Sequence, residues 1–451
     1  MTPKAWLYST LQCAGLLGQA CALPDGANLG VAFTKQDAWI DNSFAAKAAC
    51  PSGTDNWGNC VAKDRKVVTI RASADDKDDV SADFEKGLRE ANGGGLLHLA
   101  KGKTYMIGKK LELDWLKDVY VQLEGTIKFT NDIDYWTKTY VYHPFQKSSA
   151  FWRWGGSHIK IFGGGTMDGN GQKWWDTFES FKKDITDPSN TFLRPVTFFA
   201  ENATHLDVTD INFLNSPSWF TFFVGSKDIT FDRTNFLAKS TTKARPHNTD
   251  GFDTFNVDGF RLTNSRLEVD DDCYSAKPNT TNVHIENVWC KGTHGVSMGS
   301  IGQYPGVLDY ITNVFVKNVT FVGGQNGARI KAWAGEHVGY GYVKNITFTD
   351  LDMQGVDQPI VLDQCYINIK PDVCRKFPSK VNTDGVKFIN IKGTSSGKRD
   401  WVGSLKCSTT AECKNIEIRN VEITNPKKGG KGVITCDGIK NVTGSCQAPK
   451  S

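Results

Sequence analysis

The sequence predicts an all-β fold, a solenoid of stacked coils, and three observations carry that prediction. From about Gly155 onward one phrase keeps returning: a short alternating strand, often an asparagine, then another short strand. It reads in turn THLDVTDINFLN, KDITFDRTNFL, DGFRLTNSRLEV, TNVHIENVWC, TNVFVKNVTFV, VKNITFTDLDM, VKFINIKGT and KNIEIRNVEIT. The starts are roughly 20 to 35 residues apart, a repeat length that belongs to solenoids. Within each phrase apolar side chains alternate at period 2, which is strand geometry. Asn-Gly hairpin turns are sparse between the phrases, which argues against a sandwich. The pattern is that of a parallel β-helix, each coil stacking on the last and apolar side chains filling the interior.

The elements follow in chain order. The N-terminus, MTPKAWLYSTLQCAGLLGQACALPDG, has Lys4, a mildly apolar stretch and the small-x-small pattern Ala20-Cys21-Ala22. Residues 1–22 are therefore expected to be a signal peptide and residues 23–451 one elongated β-helix domain with no linker. VSADFEKGLREA places Val80, Phe84 and Leu88 on one helical stripe. It is predicted to be a short N-terminal helix capping the first coil. GGGLLHLAKGKTYMIG then reads as the first strands.

Bulk properties narrow the class. The chain has 451 residues, 23% charged and 39% hydrophobic, with a net charge of only +4. With no Lys/Arg block, nucleic acid is not an expected partner. Beyond residue 22 no apolar run approaches the roughly 20 residues a membrane helix needs. Cutting after Ala22 removes Cys13 and Cys21 from the 12 cysteines. The other ten fall into sequential couples: Cys50/Cys60, Cys273/Cys290, Cys365/Cys374, Cys407/Cys413 and Cys436/Cys446. An even set in a secreted chain reads as disulfides. Zinc is the rival reading, but no CxxC or Cys/His cluster is present. Asn-x-Ser/Thr sequons at Asn202, Asn279, Asn318, Asn345 and Asn441 are expected N-glycosylation sites of an extracellular protein.

The chemistry centres on VDDDCYSAK, Val269 to Lys277. Like charges this close raise the pKa of at least one carboxyl. In a β-helix, residues one coil apart stand side by side, roughly 4.8 Å apart. Asp250, in HNTDGFD, lies 21 residues before Asp271, and His294, in GTHGVSMGS, lies 23 after it. Arg329 and Lys331, in ARIKAW, lie 35 and 37 beyond His294. Taken singly, Asp250 reads as a turn residue, His294 as structural, and Arg329 and Lys331 as a solvated strand face. At one coil per step they form a contiguous patch. Carboxylates beside two cations and a histidine suit a negatively charged sugar, and glycoside hydrolysis needs one protonated and one ionised carboxyl.

At these residues the sequence resembles the polygalacturonases and their relatives, glycoside hydrolase family 28. The family pattern appears as Asn248-Thr249-Asp250, Asp271-Asp272-Cys273, Thr293-His294-Gly295 and Arg329-Ile330-Lys331. GGGTMDGNGQKWWD and NSPSWF are also similar, and the resemblance spans roughly residues 65 to 450. Thr293 departs from it, since Gly or Ser is usual there. The resemblance implies a right-handed parallel β-helix and an inverting hydrolase of α-1,4-galacturonosidic bonds; the protein is further expected to be secreted and monomeric, with no cofactor or metal. Carried over, Asp271 is the general acid, Asp250 and Asp272 activate water, and His294 holds the acid's protonation and geometry. Arg329 and Lys331 bind galacturonate carboxylates, Tyr366 contacts sugar, and Asn248 orients Asp250 or the sugar. Asp270 has no role in the pattern. Inversion would need acid and base roughly 6.5–9.5 Å apart, more than one coil spacing. SMGSIGQYPGV, ARIKAWAG and the QCY before Ile367 are similar to the exo-acting branch, which releases galacturonate from the non-reducing end of polygalacturonate or its oligomers. The alternatives are an endo-acting enzyme and relatives acting on xylogalacturonan or rhamnogalacturonan. Rivals of other classes are a calcium-dependent pectate lyase and a non-catalytic polysaccharide-binding β-helix.

Overall fold

The computed structural model describes residues 65–180, 193–366 and 370–448. Among the described strands, 27 join into one set of ladders, parallel except where Gly430–Lys431 folds back, and two more pair apart from it as an antiparallel hairpin. The chain winds as a right-handed parallel β-helix, the hand that parallel crossovers favour. The recurring phrase in the sequence is one long strand per coil: Asp258–Glu268, Thr280–Lys291, Leu308–Val322, Tyr340–Val356, Lys380–Ser395 and Cys413–Asn425.

Register builds the core. Phe260, Val283, Val314, Ile346, Val386 and Ile416 stand directly above one another. None is more than 2% exposed. A parallel column runs through Leu262, Ile285, Val316, Phe348, Phe388 and Ile418. In it the Phe348 and Phe388 rings stack at 5.6 Å. Branched and aromatic side chains repeat at these positions because each sits against its own counterpart one coil away.

The asparagine in each phrase has a separate task. Asn264, Asn287 and Asn318 adopt left-handed backbone, with φ of 50°, 58° and 50°. There the pairing skips one residue, so each long strand bends without losing register. The Asn287 amide donates to the Asn264 carbonyl at 3.0 Å, and Asn318 to Asn287 at 2.7 Å. A second ladder runs from Asn345 to Asn313 to Asn282 to Asp258. Asparagine serves because it tolerates the left-handed region and bonds locally.

The expected N-terminal helix spans Ser81–Ala91, with Phe84, Leu88 and Ala91 buried. Phe84 packs on Trp152 and Trp154, at 5.7 and 6.4 Å between rings. Cys273–Cys290, Cys365–Cys374, Cys407–Cys413 and Cys436–Cys446 are disulfides, while Cys50 and Cys60 lie outside the described residues. No described helix is long and apolar enough to cross a membrane.

The ladder makes a stability prediction. Asn287→Ala and Asn287→Gly both lose the two amide bonds, but only alanine must also adopt the left-handed conformation. Chemical unfolding is expected to show alanine less stable than glycine by about 1 kcal/mol. Equal losses would mean that the backbone conformation at this position carries no cost.

Candidate active site

A shorter ladder carries the site: Thr221–Val224, Phe252–Phe255, Tyr274–Ala276, Val296–Ile301, Asn326–Trp333 and Gln358–Tyr366. Phe252, Tyr274, Val296 and Ala328 point into the core, so Asp253, Ser275, Ser297 and Arg329, their neighbours in register, face the other side. The turns just before these strands bring in the aspartates. The Gly251 N–H donates to the Asp272 carbonyl, Cys273 N–H to Gly295, and His294 N–H to Asp271, each at 2.8 Å. A β-carbon at Gly251 would stand 2.6 Å from the Cys273 carbonyl, so this close stacking requires glycine.

These bonds place the expected residues together. Asp250, Asp271 and Asp272 each bring a carboxylate oxygen within 4.8 Å of the other two. His294 Nδ1 lies 2.9 Å from Asp271 Oδ1. Asn248 donates to Asp271 Oδ2 at 3.3 Å. The buried Lys331 ammonium is bonded to Asp272, with Arg329 Nη1 4.0 Å from the same carboxyl. Arg329 and Lys331 also lie over the Tyr366 ring, at 5.3 and 5.5 Å. The expectation gave both cations to substrate; Lys331 already has a partner inside the protein, and Arg329 is the freer of the two.

The electrostatics separate the carboxyls. Burial, then the charges of Asp253 and Asp271, push Asp250 well above the usual carboxyl range. Burial also acts to raise Asp271. The charge and hydrogen bond of His294, helped by Lys331 and Lys277, outweigh it and hold Asp271 well below the usual range. Burial would lower His294, but Asp271 outweighs it and raises the imidazole. Asp271 and His294 therefore form a couple that keeps one proton.

Three functional groups escaped the sequence reading. Arg194 donates to Asn248 Oδ1 at 2.6 Å and to the carbonyls of His247 and Pro217, which fixes Asn248 against Asp271. Lys277 and Asp253 form a buried ion pair at 2.9 Å beside Asp250. Lys277 closes the VDDDCYSAK stretch and Asp253 closes HNTDGFD, so both signals were in view. Only the side-chain directions were missing.

A hairpin stands close to these groups. Val141–His143 and Ser148–Ala150 form an antiparallel hairpin, packed on Phe199 and Phe222 of the two coils before Asp253. Phe145 at its tip stacks on Phe255 at 4.4 Å and meets Tyr304 at 6.0 Å. Gln146 N–H donates to the Tyr304 hydroxyl at 3.1 Å, and its side chain to Gln303 at 3.3 Å. A hairpin from the N-terminal coils thus meets the SIGQYPG loop in a wall.

Comparison with known proteins gives matches along most of the chain. The model of the glycosyl hydrolases family 28 matches residues 98–446. A probable exopolygalacturonase B of Emericella nidulans is 53% identical over 388 residues, 85% of this chain and 88% of that protein. One of Neosartorya fischeri is 54% identical over 387 residues, 85% of each. Among solved structures, an endo-xylogalacturonan hydrolase from Aspergillus tubingensis superposes with a TM-score of 0.75 at 27% identity, over 85% of this chain and 100% of that one. A polygalacturonase from Erwinia carotovora shares the fold, with a TM-score of 0.64 at 20% identity, over 86% of this chain and 99% of that one.

The Asp271–His294 couple predicts a pH window of stability. A histidine raised on folding contributes in full below its unfolded value, roughly 6.5, and loses the contribution as pH climbs through its folded one. An aspartate lowered on folding contributes above roughly 3.9 and loses the contribution as pH drops through its folded value. The stability gap between the wild type and His294→Gln should be widest between these unfolded values and shrink above neutrality. Denaturant titrations across pH test it; a gap independent of pH would mean that the imidazole is not charged against Asp271.

Proposed function

The chain belongs to the glycosyl hydrolases of family 28, and from that membership we propose that it is an exo-acting polygalacturonase. It would release galacturonic acid from the non-reducing end of polygalacturonate. One observation carries the exo reading: the wall of Phe145, Gln146, Gln303 and Tyr304 stands at one end of the Asp253 strand, with Phe145 stacked on Phe255. A chain end can enter such a site, whereas a mid-chain segment needs both ends open. The relatives named exopolygalacturonase B support the same reading.

Roles for the site residues follow from the geometry. Asp271 donates its proton to the glycosidic oxygen as the bond to the anomeric carbon breaks. That proton is the one held in the couple with His294, and it passes from the imidazole to Asp271 and on to the leaving oxygen. Asp250 and Asp272 have oxygens within 4.8 Å of each other, so one water about 2.8 Å from each can bond to both. That water attacks the anomeric carbon and yields its proton to one of the two. Arg329, with Tyr366 beneath it, meets the carboxylate of the sugar on the leaving side.

The carboxylates are closer than the roughly 6.5–9.5 Å usual for inverting pairs. Inversion therefore requires that the water sit beside the acid rather than between acid and base. Early-time NMR of the product tests this: the β-anomer first means inversion, and the α-anomer first would overturn it.

We further place the protein outside the cell, with residues 1–22 removed and residues 23–451 acting as one monomeric catalytic domain. The four disulfides fit an oxidising compartment. The sequons at Asn202, Asn318, Asn345 and Asn441 are exposed and Asn279 is half-buried, so all five are open to a glycan at the surface.

The deciding assay is the product profile at early times on polygalacturonate. Galacturonic acid alone is expected, with Asp271→Asn lowering the rate by about 10²- to 10⁴-fold. A ladder of oligomers would overturn exo action. Activity only on xylogalacturonan would transfer the reading to the function named for the structurally similar hydrolase.

A further inference from the structure

Two lysines are buried in this site, and only one was expected there. Lys331 and Lys277 are each 4% exposed, and Asp250, Asp253 and Asp272 at most 3%. Lys331 is spent on Asp272. Lys277 Nζ lies 2.9 Å from Asp253 Oδ1 and 3.9 Å from Asp250 Oδ2. Among the described residues no other cation is within ion-pair distance of Asp250. Asp250 Oδ1 and Asp253 Oδ2 are buried without a hydrogen-bond partner, so both carboxyls depend on this one ammonium.

The local structure fixes Lys277 firmly. Its N–H donates to the Thr254 carbonyl at 2.7 Å, which continues the ladder one step past Ala276. Its ammonium lies 5.2 Å from the centre of the Trp219 ring. A buried ion pair adds little stability over apolar side chains of the same size. Its placement beside a reacting carboxylate therefore calls for another account.

We propose that Lys277, oriented by Asp253, is the positioning residue that offsets burial and repulsion at Asp250 so that it can ionise as a base, the counterpart of Lys331 on Asp272. The inference rests on the reading of Asp250 as a base. The groups facing Asp250 are Asp253 on the strand that follows it, Asp271 and Asp272 from the next coil, Arg194 from the segment before Phe198–Thr209, and Lys277. Burial and the three aspartates favour a proton on Asp250, and Lys277 is the near cation that opposes them. The four carboxylates then meet cations in order: Asp271 with His294, Asp272 with Lys331, and Asp250 and Asp253 with Lys277.

The test is the pH profile of kcat/KM, whose acidic limb reports the base of the free enzyme. Removing the cation makes Asp250 harder to ionise, so Lys277→Met should move the acidic limb up by about 1–3 units. Below that limb the rate should fall at least tenfold, with KM little changed. Lys277→Arg should restore the limb. The double variant Asp253→Asn with Lys277→Met serves if the single variant does not fold; its limb should lie above that of Asp253→Asn alone, which keeps the cation beside Asp250. An unmoved limb with only a lower melting temperature would overturn the proposal, leaving Lys277 structural. A KM raised tenfold with an unmoved limb would overturn it too, making Lys277 a sugar contact. Asp250→Asn separates the premise: if it retains activity within about tenfold, Asp250 is not the base and the reading beneath the proposal fails. If it is inactive while the Lys277→Met limb stays fixed, the proposal alone fails.

Discussion

The height of one coil, about 4.8 Å, is the dimension on which everything else depends. It is set by backbone hydrogen bonds between coils, not by any side chain in the site. Three of those bonds, from Gly251, Cys273 and His294, tie the turns that carry the aspartates. Like charges at that spacing repel, and left to themselves the turns would splay. They do not, because the register is held on both sides by columns of buried apolar residues and by asparagine ladders. The crowding of carboxylates is thus sustained by packing far larger than the site.

A rigid register also explains why the cations are buried lysines. In water an ammonium beside a carboxylate is worth little. Inside the protein, where Asp253 and Asp272 are fully covered, an unpaired carboxylate would simply take up a proton. Lysine supplies a compact charge at the end of a long apolar stem, so it can reach a buried carboxyl from one or two coils away. Lys277 reaches Asp253 from the next coil, and Lys331 reaches Asp272 from the strand beyond Val296–Ile301. Histidine is used where the proton must move.

Much of this was legible in the sequence, and the reason is periodicity. The alternation that fills Phe260, Val283 and Val314 with core residues is a one-dimensional signal, and so is the asparagine at each bend. Site residues separated by one coil are likewise readable as sequence spacing. What spacing cannot give is side-chain direction. It placed Lys331 in the site but not on Asp272, and it passed over Lys277 and Asp253, whose pairing depends on two rotamers. Nor could it join Gln146 to Tyr304, 158 residues away, because that wall is made by two loops outside the repeat.

The third aspartate of VDDDCYSAK shows how finely the turn divides its charges. Asp270 pairs with Arg245 at 2.8 Å, and that arginine is 61% exposed, so the pair sits at the rim. Its amide is held by the Thr249 hydroxyl at 2.9 Å, which ties the start of the turn to the coil of Asp250. Asp271, half-buried, faces His294; Asp272, fully buried, faces Lys331. Three successive carboxylates thus meet three different cations at three depths. Exposed pairs of this kind contribute roughly 0–1 kcal/mol, so Asp270 is not there for stability. Asp270 is thus paired at the rim, apart from the two inner aspartates and the partners that set their protons.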